Sequence, residues 1–304
     1  MNTTTPATSN YETRSSSNLD WREKTINGGS LRHVDLLNGS NGWASPPGNL
    51  FSLRSKQYLL KKTKSSASVD YLLRPTAVDW LKSNSKLEHV LSRADNRVMR
   101  VLRSHQSNGD FLKSFVFAVN LQVPGREHHS AVFYFSTDEP IESGSLLERF
   151  INGDDGFRNS RLKLVNRIVK GPWIVKTAVG NYSACLLGKA LTCRYHRGPN
   201  YLEIDVDISS SKIAGALVHL ALGCVTSVTI DMGFVVEGQI EEELPEKLIG
   251  AVRICQMEMN SAEFVDSNSP SNGVGIGRLG LAKVNHVDGE GSSRSDQSDP
   301  GVLS

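Results

Sequence analysis

Apolar and polar positions divide this chain into a dense middle and two sparse ends. The densest segment, residues 114–136, reads SFVFAVNLQVPGREHHSAVFYFS. Phe115, Phe117, Val119, Leu121 and Val123 alternate with further apolar residues, Pro124-Gly125 breaks the run, and residues 131–135 return. The pattern predicts a hairpin with a longer loop, and apolar residues at nearly every position place both strands mid-sheet, buried on both faces. Residues 71–78 read as a strand that Pro75 confines to an edge or a bulge. Residues 190–197 and 201–208 predict a second hairpin around Gly198-Pro199-Asn200. In its second strand Leu202, Ile204, Val206 and Ile208 take one face, and Glu203, Asp205 and Asp207 take the other, a solvated one.

Helical spacing appears in residues 86–104, with Arg93, Arg97, Arg100 and Arg103 between the apolar positions, and in residues 145–152. Gly171-Pro172-Trp173 breaks the chain before residues 174–179. Residues 213–230, IAGALVHLALGCVTSVTI, carry no formal charge. That length is the lower limit of a membrane span, yet His219, Thr226, Ser227 and Thr229 interrupt it, and it is read as a long apolar helix capped by residues 209–211. Strands without a repeating strand–helix alternation give the α+β class. The expected architecture is a curved antiparallel sheet packed on that long helix plus shorter ones. Such a sheet could enclose an apolar cavity in a START-like manner, an analogy of architecture only.

The ends differ. Residues 1–45 are rich in Ser, Thr and Asn, and residues 263–304 in Ser, Gly and Asp, without apolar periodicity. Both are expected to be disordered tails around a body of residues 46–262. The net charge is +2, but residues 51–120 hold thirteen Lys or Arg against five Asp or Glu, and residues 203–246 hold nine acids against one Lys. The two halves either make a bipolar surface or meet inside the fold. Four cysteines at spacings of 8, 31 and 31 give no zinc or disulfide pattern. The first 30 residues lack an apolar signal core. The expectation is an intracellular, cytoplasmic chain, in part peripheral on membranes.

Candidate chemistry is sparse. No G-x-S-x-G occurs, and Cys193 and His196 fall on opposite faces of one strand, so neither catalytic residues nor a cofactor are expected. His128-His129 point opposite ways in an extended chain and do not form a metal pair. Lys56, Lys61, Lys62 and Lys64 around Tyr58, Leu59 and Leu60 combine positive charge with apolar anchors, which suits an anionic membrane surface. With Arg54 they are the candidate headgroup contacts. Residues 153–161, GDDGFRNSR, form a polar loop in which Arg158 and Arg161 would line a mouth, or pair with Asp154 and Asp155 structurally. Nucleic acid is not an expected partner, because no stacking platform or reader motif is present.

Several ordered stretches carry a family resemblance. NLQVPG at 120–125 followed by VFYF at 132–135, FINGDDGFRNSR at 150–161, GPWIV at 171–175, LGKAL at 187–191, residues 195–207 and EELPEKLIGAVRICQ at 242–256 resemble the carboxy-terminal domain of the plant Enhanced Disease Resistance two family. The likeness covers roughly residues 43–260. It implies a domain long catalogued without a function. In longer relatives that domain follows a pleckstrin-homology domain and a START domain and acts at membranes in defence and cell death. Neither upstream domain lies within these residues, so their ligand sites are not carried over. Arg54-Ser55 stands where relatives usually have Arg-Gly, which loosens the need for a tight turn there. The reading these features favour is a non-enzymatic lipid- or membrane-associated regulatory module. The alternatives are an interaction scaffold with a solid core and regulated tails, and a hydrolase using Asp154, Asp155 or the Glu203/Asp207 face.

Overall fold

The computed structural model describes residues 20–105, 113–125, 127–180 and 182–268. The class is α+β, but the strands build two six-stranded sheets rather than one curved sheet gripping a helix. The first sheet runs, in spatial order, β1 (Arg32–His33), β2 (Gly42–Ala44), β13 (Leu248–Cys255), β12 (Thr229–Val236), β8 (Leu162–Lys170) and β9 (Tyr182–Leu186). The second runs β10 (Thr192–Arg197), β11 (Tyr201–Asp207), β6 (Phe115–Val123), β7 (His128–Thr137), β5 (Arg74–Ser83) and β14 (Glu263–Phe264). Pairing is antiparallel except for β1–β2, β11–β6 and β14–β5. The two predicted hairpins are β6–β7 and β10–β11, and the register of β5 on β7 shifts at Pro75, as the bulge reading requires.

The sheets meet face to face through large side chains. Phe133 and Phe135 of the second sheet each pack 5.6 Å, ring to ring, from Phe234 of the first. Trp43, Phe117, Ile204 and Val252 belong to the same buried core. A Cβ on Gly250 would sit 2.2 Å from the Phe135 ring, so glycine lets β13 approach the facing aromatic layer. The outer face of the second sheet is covered by α1 (Trp21–Ile26) and α3 (Arg97–His105), through Trp21, Val98 and Leu102 against Ala77, Val116 and Tyr134. The outer face of the first sheet is covered by a ribbon of β3 (Ser52–Arg54) and β4 (Lys64–Ser66), whose Leu53 packs with Phe51 on Val165, Val235 and Leu248. The facing sheet on one side and the α1–α3 covering on the other explain why β6 and β7 lack alternation: both of their faces are buried.

Three expectations need correction. The apolar segment 213–230 is not one long buried helix. It divides into α8 (Lys212–Leu222), a 3-10 turn at Val225–Ser227, and the start of β12. The helix has eleven residues, none of them buried, and Ile213 is 76% exposed. Gly223 ends it, and the β-branched Val225, Thr226, Val228 and Thr229 favour extended backbone beyond. Among the described residues no helix is long and apolar enough to cross a membrane. Secondly, helical spacing in 86–104 yields α3 only from Arg97, because acceptors on β11 capture the backbone of residues 89–91, as described below. Thirdly, residues 20–45 are structured. Asp20 caps α1 by accepting from the Arg22 N–H at 3.1 Å, Trp21 and Trp43 are buried, and β2 pairs with β13. Residues 263–264 likewise pair with β5, whereas residues 1–19 and 269–304 lie outside the described residues.

Candidate functional site

The β3–β4 ribbon carries a protruding basic tip. Between its strands lies α2 (Tyr58–Lys61), closed by Lys62 in the left-handed region at φ 56°, whose N–H donates to the Tyr58 carbonyl. Ser55 does not adopt left-handed backbone, and its hydroxyl donates to the Thr63 carbonyl at 3.0 Å, tying the tip across its base. The Tyr58 ring lies 4.6 Å from the Arg54 guanidinium and 5.5 Å from the Lys62 ammonium. Leu60 is 80% exposed, and Lys56, Lys61, Lys62 and Lys64 are exposed around it. Lys56 donates to the Glu241 carbonyl at 3.2 Å. Lys61, Lys62 and Lys64 make no ion pair among the described residues.

The arginines play another part. Arg54 is the root of the ribbon: it pairs with Glu237 at 2.9 Å, donates to the Gly238 carbonyl at 2.8 Å, and its backbone N–H donates to Glu246 at 3.0 Å. Glu237 and Glu246 are shared with Lys163 of β8. Arg158 belongs to α5 (Asp155–Asn159), which follows α4 (Leu146–Asn152). It is buried and donates to the carbonyls of Phe150 and Ile151 and to Asp155. Arg161 is buried too, donating to the Glu237 carbonyl at 3.0 Å and to Glu243 at 2.6 Å. Burial works to raise the Glu243 carboxyl, but the Gln239 N–H and Arg161 hold it below its ordinary value. Thus the expected headgroup contacts separate: Lys56, Lys61 and Lys62 stand outside, while Arg54, Arg158 and Arg161 are internal fasteners. The basic and acidic halves of the chain meet at Arg54 with Glu237 and Glu246, and at Lys86 with Asp207.

The acidic face of β11 is not solvated. Glu203 is fully buried and accepts from the N–H groups of Val90 and Leu91 at 2.6 and 2.8 Å. Asp205 accepts from the His89 N–H at 3.0 Å and the Asn120 amide at 2.8 Å, and it contacts His196 Nε2 at 2.9 Å. Burial, with Asp205 beside it, pushes the Glu203 carboxyl well above its ordinary value despite those two donors. His89 stacks on His196 at 4.4 Å, and its Nε2 lies 2.7 Å from the Tyr201 hydroxyl. Burial, then His196, lowers the His89 pKa. These carboxylates clamp a loop. Asp154 caps α5 through the Phe157 N–H, and Asp155 pairs with Arg158. No cluster of three or more metal-ligating side chains occurs among the described residues.

An open cleft of about 530 Å³ lies at one end of the sheets. Leu72, Leu73, Ile141 and Leu147 are among its apolar walls, and Glu139, Glu142 and Glu242 stand at it. Two further short helices, α6 (Trp173–Val179) and α7 (Leu187–Ala190), flank β9, and Trp173 is 76% exposed.

Residues 43–258 match the family described as "Protein ENHANCED DISEASE RESISTANCE 2, C-terminal". The chain belongs to that family. It is also 45% identical over 234 residues to "Protein ENHANCED DISEASE RESISTANCE 2-like" of Arabidopsis thaliana, an alignment covering 77% of this chain and 31% of the relative. The chain therefore spans about a third of that relative's length. No solved structure matches, so the START-like architecture gains no support from that side. The family segment includes the whole ribbon, the arginine fasteners and the cleft. It begins at the buried Trp43, after α1 and β1, which pack on the same body from outside it.

The tip's lysines and leucines were visible in sequence as a basic–apolar cluster. What the sequence did not signal was that Glu237 and Glu246, nearly two hundred positions from Arg54, would take that arginine out of the cluster.

Proposed function

We propose that this chain is a non-enzymatic membrane-docking module that seats the lysine-tipped ribbon on an anionic lipid surface. The observation that carries the reading is Leu60, an exposed leucine at the end of a ribbon anchored by Arg54 and ringed by four lysines. Each basic residue close to an anionic leaflet contributes about 1 kcal/mol. Seating the Leu60 side chain in the interfacial region adds about 2 kcal/mol. Together these suit reversible, salt-sensitive association. The Arabidopsis relative carries disease resistance in its name. In this reading the domain supplies a regulated membrane contact to such a process.

A scaffold with a solid core is the second reading, favoured by the aromatic packing that fills the space between the sheets. Carriage of a lipid inside the body is the weaker form of the first reading, because the cleft is open and carries carboxylates.

The test is co-sedimentation with phosphatidylserine-containing vesicles, against phosphatidylcholine alone. Lys61→Glu with Lys62→Glu reverses two charges and is expected to weaken binding about 100-fold or more. Leu60→Ser is expected to weaken it about 30-fold. Wild-type binding that ignores phosphatidylserine, or the double variant binding like wild type, overturns the reading in favour of the scaffold.

A further inference from the structure

The lysine tip runs directly into a pair of serines: Lys61-Lys62-Thr63-Lys64-Ser65-Ser66. Both serines lie on β4, both are exposed, and no hydrogen bond engages either hydroxyl among the described residues. Their neighbours differ in this respect: Thr63 is bonded to Ser55, and the Ser68 hydroxyl accepts from the Asp70 N–H. Register places Ser66 opposite Ser52 and Lys64 opposite Arg54, so Ser66 and Lys64 share a ribbon face. Ser65 lies opposite the buried Leu53, at the margin of the other face. Among the described residues β4 pairs with β3 alone, so no strand covers its second edge, and it is already extended.

We propose that Ser65 and Ser66 are phosphorylation sites for a protein kinase with an acidic substrate cleft, and that the modification switches off docking of the ribbon on anionic lipid. The second half rests on the membrane reading above; the first does not. An open, extended strand edge preceded by three lysines offers such a kinase both the backbone shape and the charge it selects. In the transfer, a serine hydroxyl oxygen attacks the γ-phosphorus of the kinase-bound nucleoside triphosphate. The new P–O bond forms as the bond to the β-phosphate oxygen breaks, the nucleoside diphosphate leaves with that electron pair, and the hydroxyl proton passes to the kinase's base.

Charge arithmetic gives the consequence. The exposed tip carries Lys56, Lys61, Lys62 and Lys64, with no acid between Arg54 and Ala67. Each phosphoserine brings roughly −1.5 to −2 at neutral pH, so two bring about −3 to −4 and cancel the lysines. The phosphate on Ser66 would stand two residues from Lys64 on one face, where the two charges pair with each other instead of with lipid. The tip would then retain Leu60 but lose its electrostatic attraction, which is the chemistry of a reversible release from a charged leaflet.

The experiment uses the full chain, a basic-directed serine/threonine kinase catalytic subunit with magnesium and ATP, and peptide mass spectrometry to locate phosphate. Phosphate at Ser65 and Ser66 is expected, followed by a drop of about 100-fold or more in affinity for phosphatidylserine vesicles. The Ser65→Ala/Ser66→Ala variant, treated identically, should keep wild-type binding even though serines elsewhere in the chain are modified. Phosphate on other serines but on neither Ser65 nor Ser66 overturns the site. Full modification with unchanged vesicle binding overturns the switch while leaving the site. If the unmodified chain ignores phosphatidylserine, the docking reading and the switch fail together, and phosphate incorporation at the two serines still decides the site.

Discussion

Replacing Arg161 by glutamine separates the two roles given to the basic residues. Arg161 is buried and gives one N–H to the Glu237 carbonyl at 3.0 Å and another to Glu243 at 2.6 Å, with its guanidinium 4.5 Å from the Phe157 ring. Removing one member of a buried pair costs about 3–5 kcal/mol, chiefly because the other charge is left behind without water. Glu243 would not be wholly abandoned. Arg149 stays 3.0 Å away, and the Gln239 N–H donates at 2.8 Å. The loss should therefore lie near the lower bound, about 3 kcal/mol. For a body of this size each kcal/mol moves Tm by about 2–4 °C, which predicts a fall of about 6–12 °C. Circular dichroism melts, supported by urea titration with unchanged slope, measure it. Vesicle binding of the folded variant should equal wild type, because Arg161 is buried and its guanidinium is engaged by Glu237 and Glu243. A variant with unchanged Tm and weakened lipid binding would refute the fastener argument and return Arg161 to the surface.

Two further predictions test the packing and the clamp. Gly250→Ala forces a methyl carbon into the Phe135 ring and should destabilise by about 1–3 kcal/mol. Combining it with Phe135→Leu should cost less than the sum of the singles, and additive unfolding energies would show that the two sites do not touch. The depressed His89 pKa means that the folded protein binds that proton less readily than the unfolded chain, so its share of stability is lost as pH falls through about 6.5. Glu203 works the other way, since its raised pKa makes the folded state take up a proton as pH falls. The difference between wild type and His89→Asn isolates the histidine, because asparagine tolerates the left-handed backbone at φ 51°. That difference should shrink in urea titrations carried from pH 7.5 to pH 5.5, where wild type pays for its half-buried imidazole; a constant difference would show that His89 does not titrate within the clamp.

What could be read in advance divides along a physical line. Strands whose burial is dictated locally, β6, β7, β10 and β11, were legible because composition and turn residues alone specify them. The helical spacing of 86–104 misled at its first half because the decisive partners were remote. Glu203 and Asp205 offer acceptors to three consecutive backbone N–H groups, and a helix could not satisfy those acceptors as well. The same two carboxylates look solvated in sequence, since strand alternation gives the face a residue lies on but not what covers it. The apolar run 213–230 misled for the opposite reason. Hydropathy fixed its composition but not its conformation, and β-branched residues after Gly223 carried the chain from α8 into β12.

Charge behaved likewise in the candidate site. Sequence proximity grouped Arg54 with Lys56, Lys61 and Lys62, yet the buried Glu237 and Glu246 draw the arginine inward and leave the lysines out. The difference follows from side-chain chemistry as well as position. A planar guanidinium satisfies Glu237 and the Gly238 carbonyl at once, and the same glutamates hold the buried Lys163, whereas Lys61, Lys62 and Lys64 meet no carboxylate among the described residues and stay in water. The division also bears on the proposed docking. A tip that moved with its lysines would lose entropy on meeting a membrane; one rooted by Arg54 and tied by Ser55 to Thr63 meets it already ordered. In the proposed docking Arg54 would therefore contribute through rigidity, without touching lipid itself.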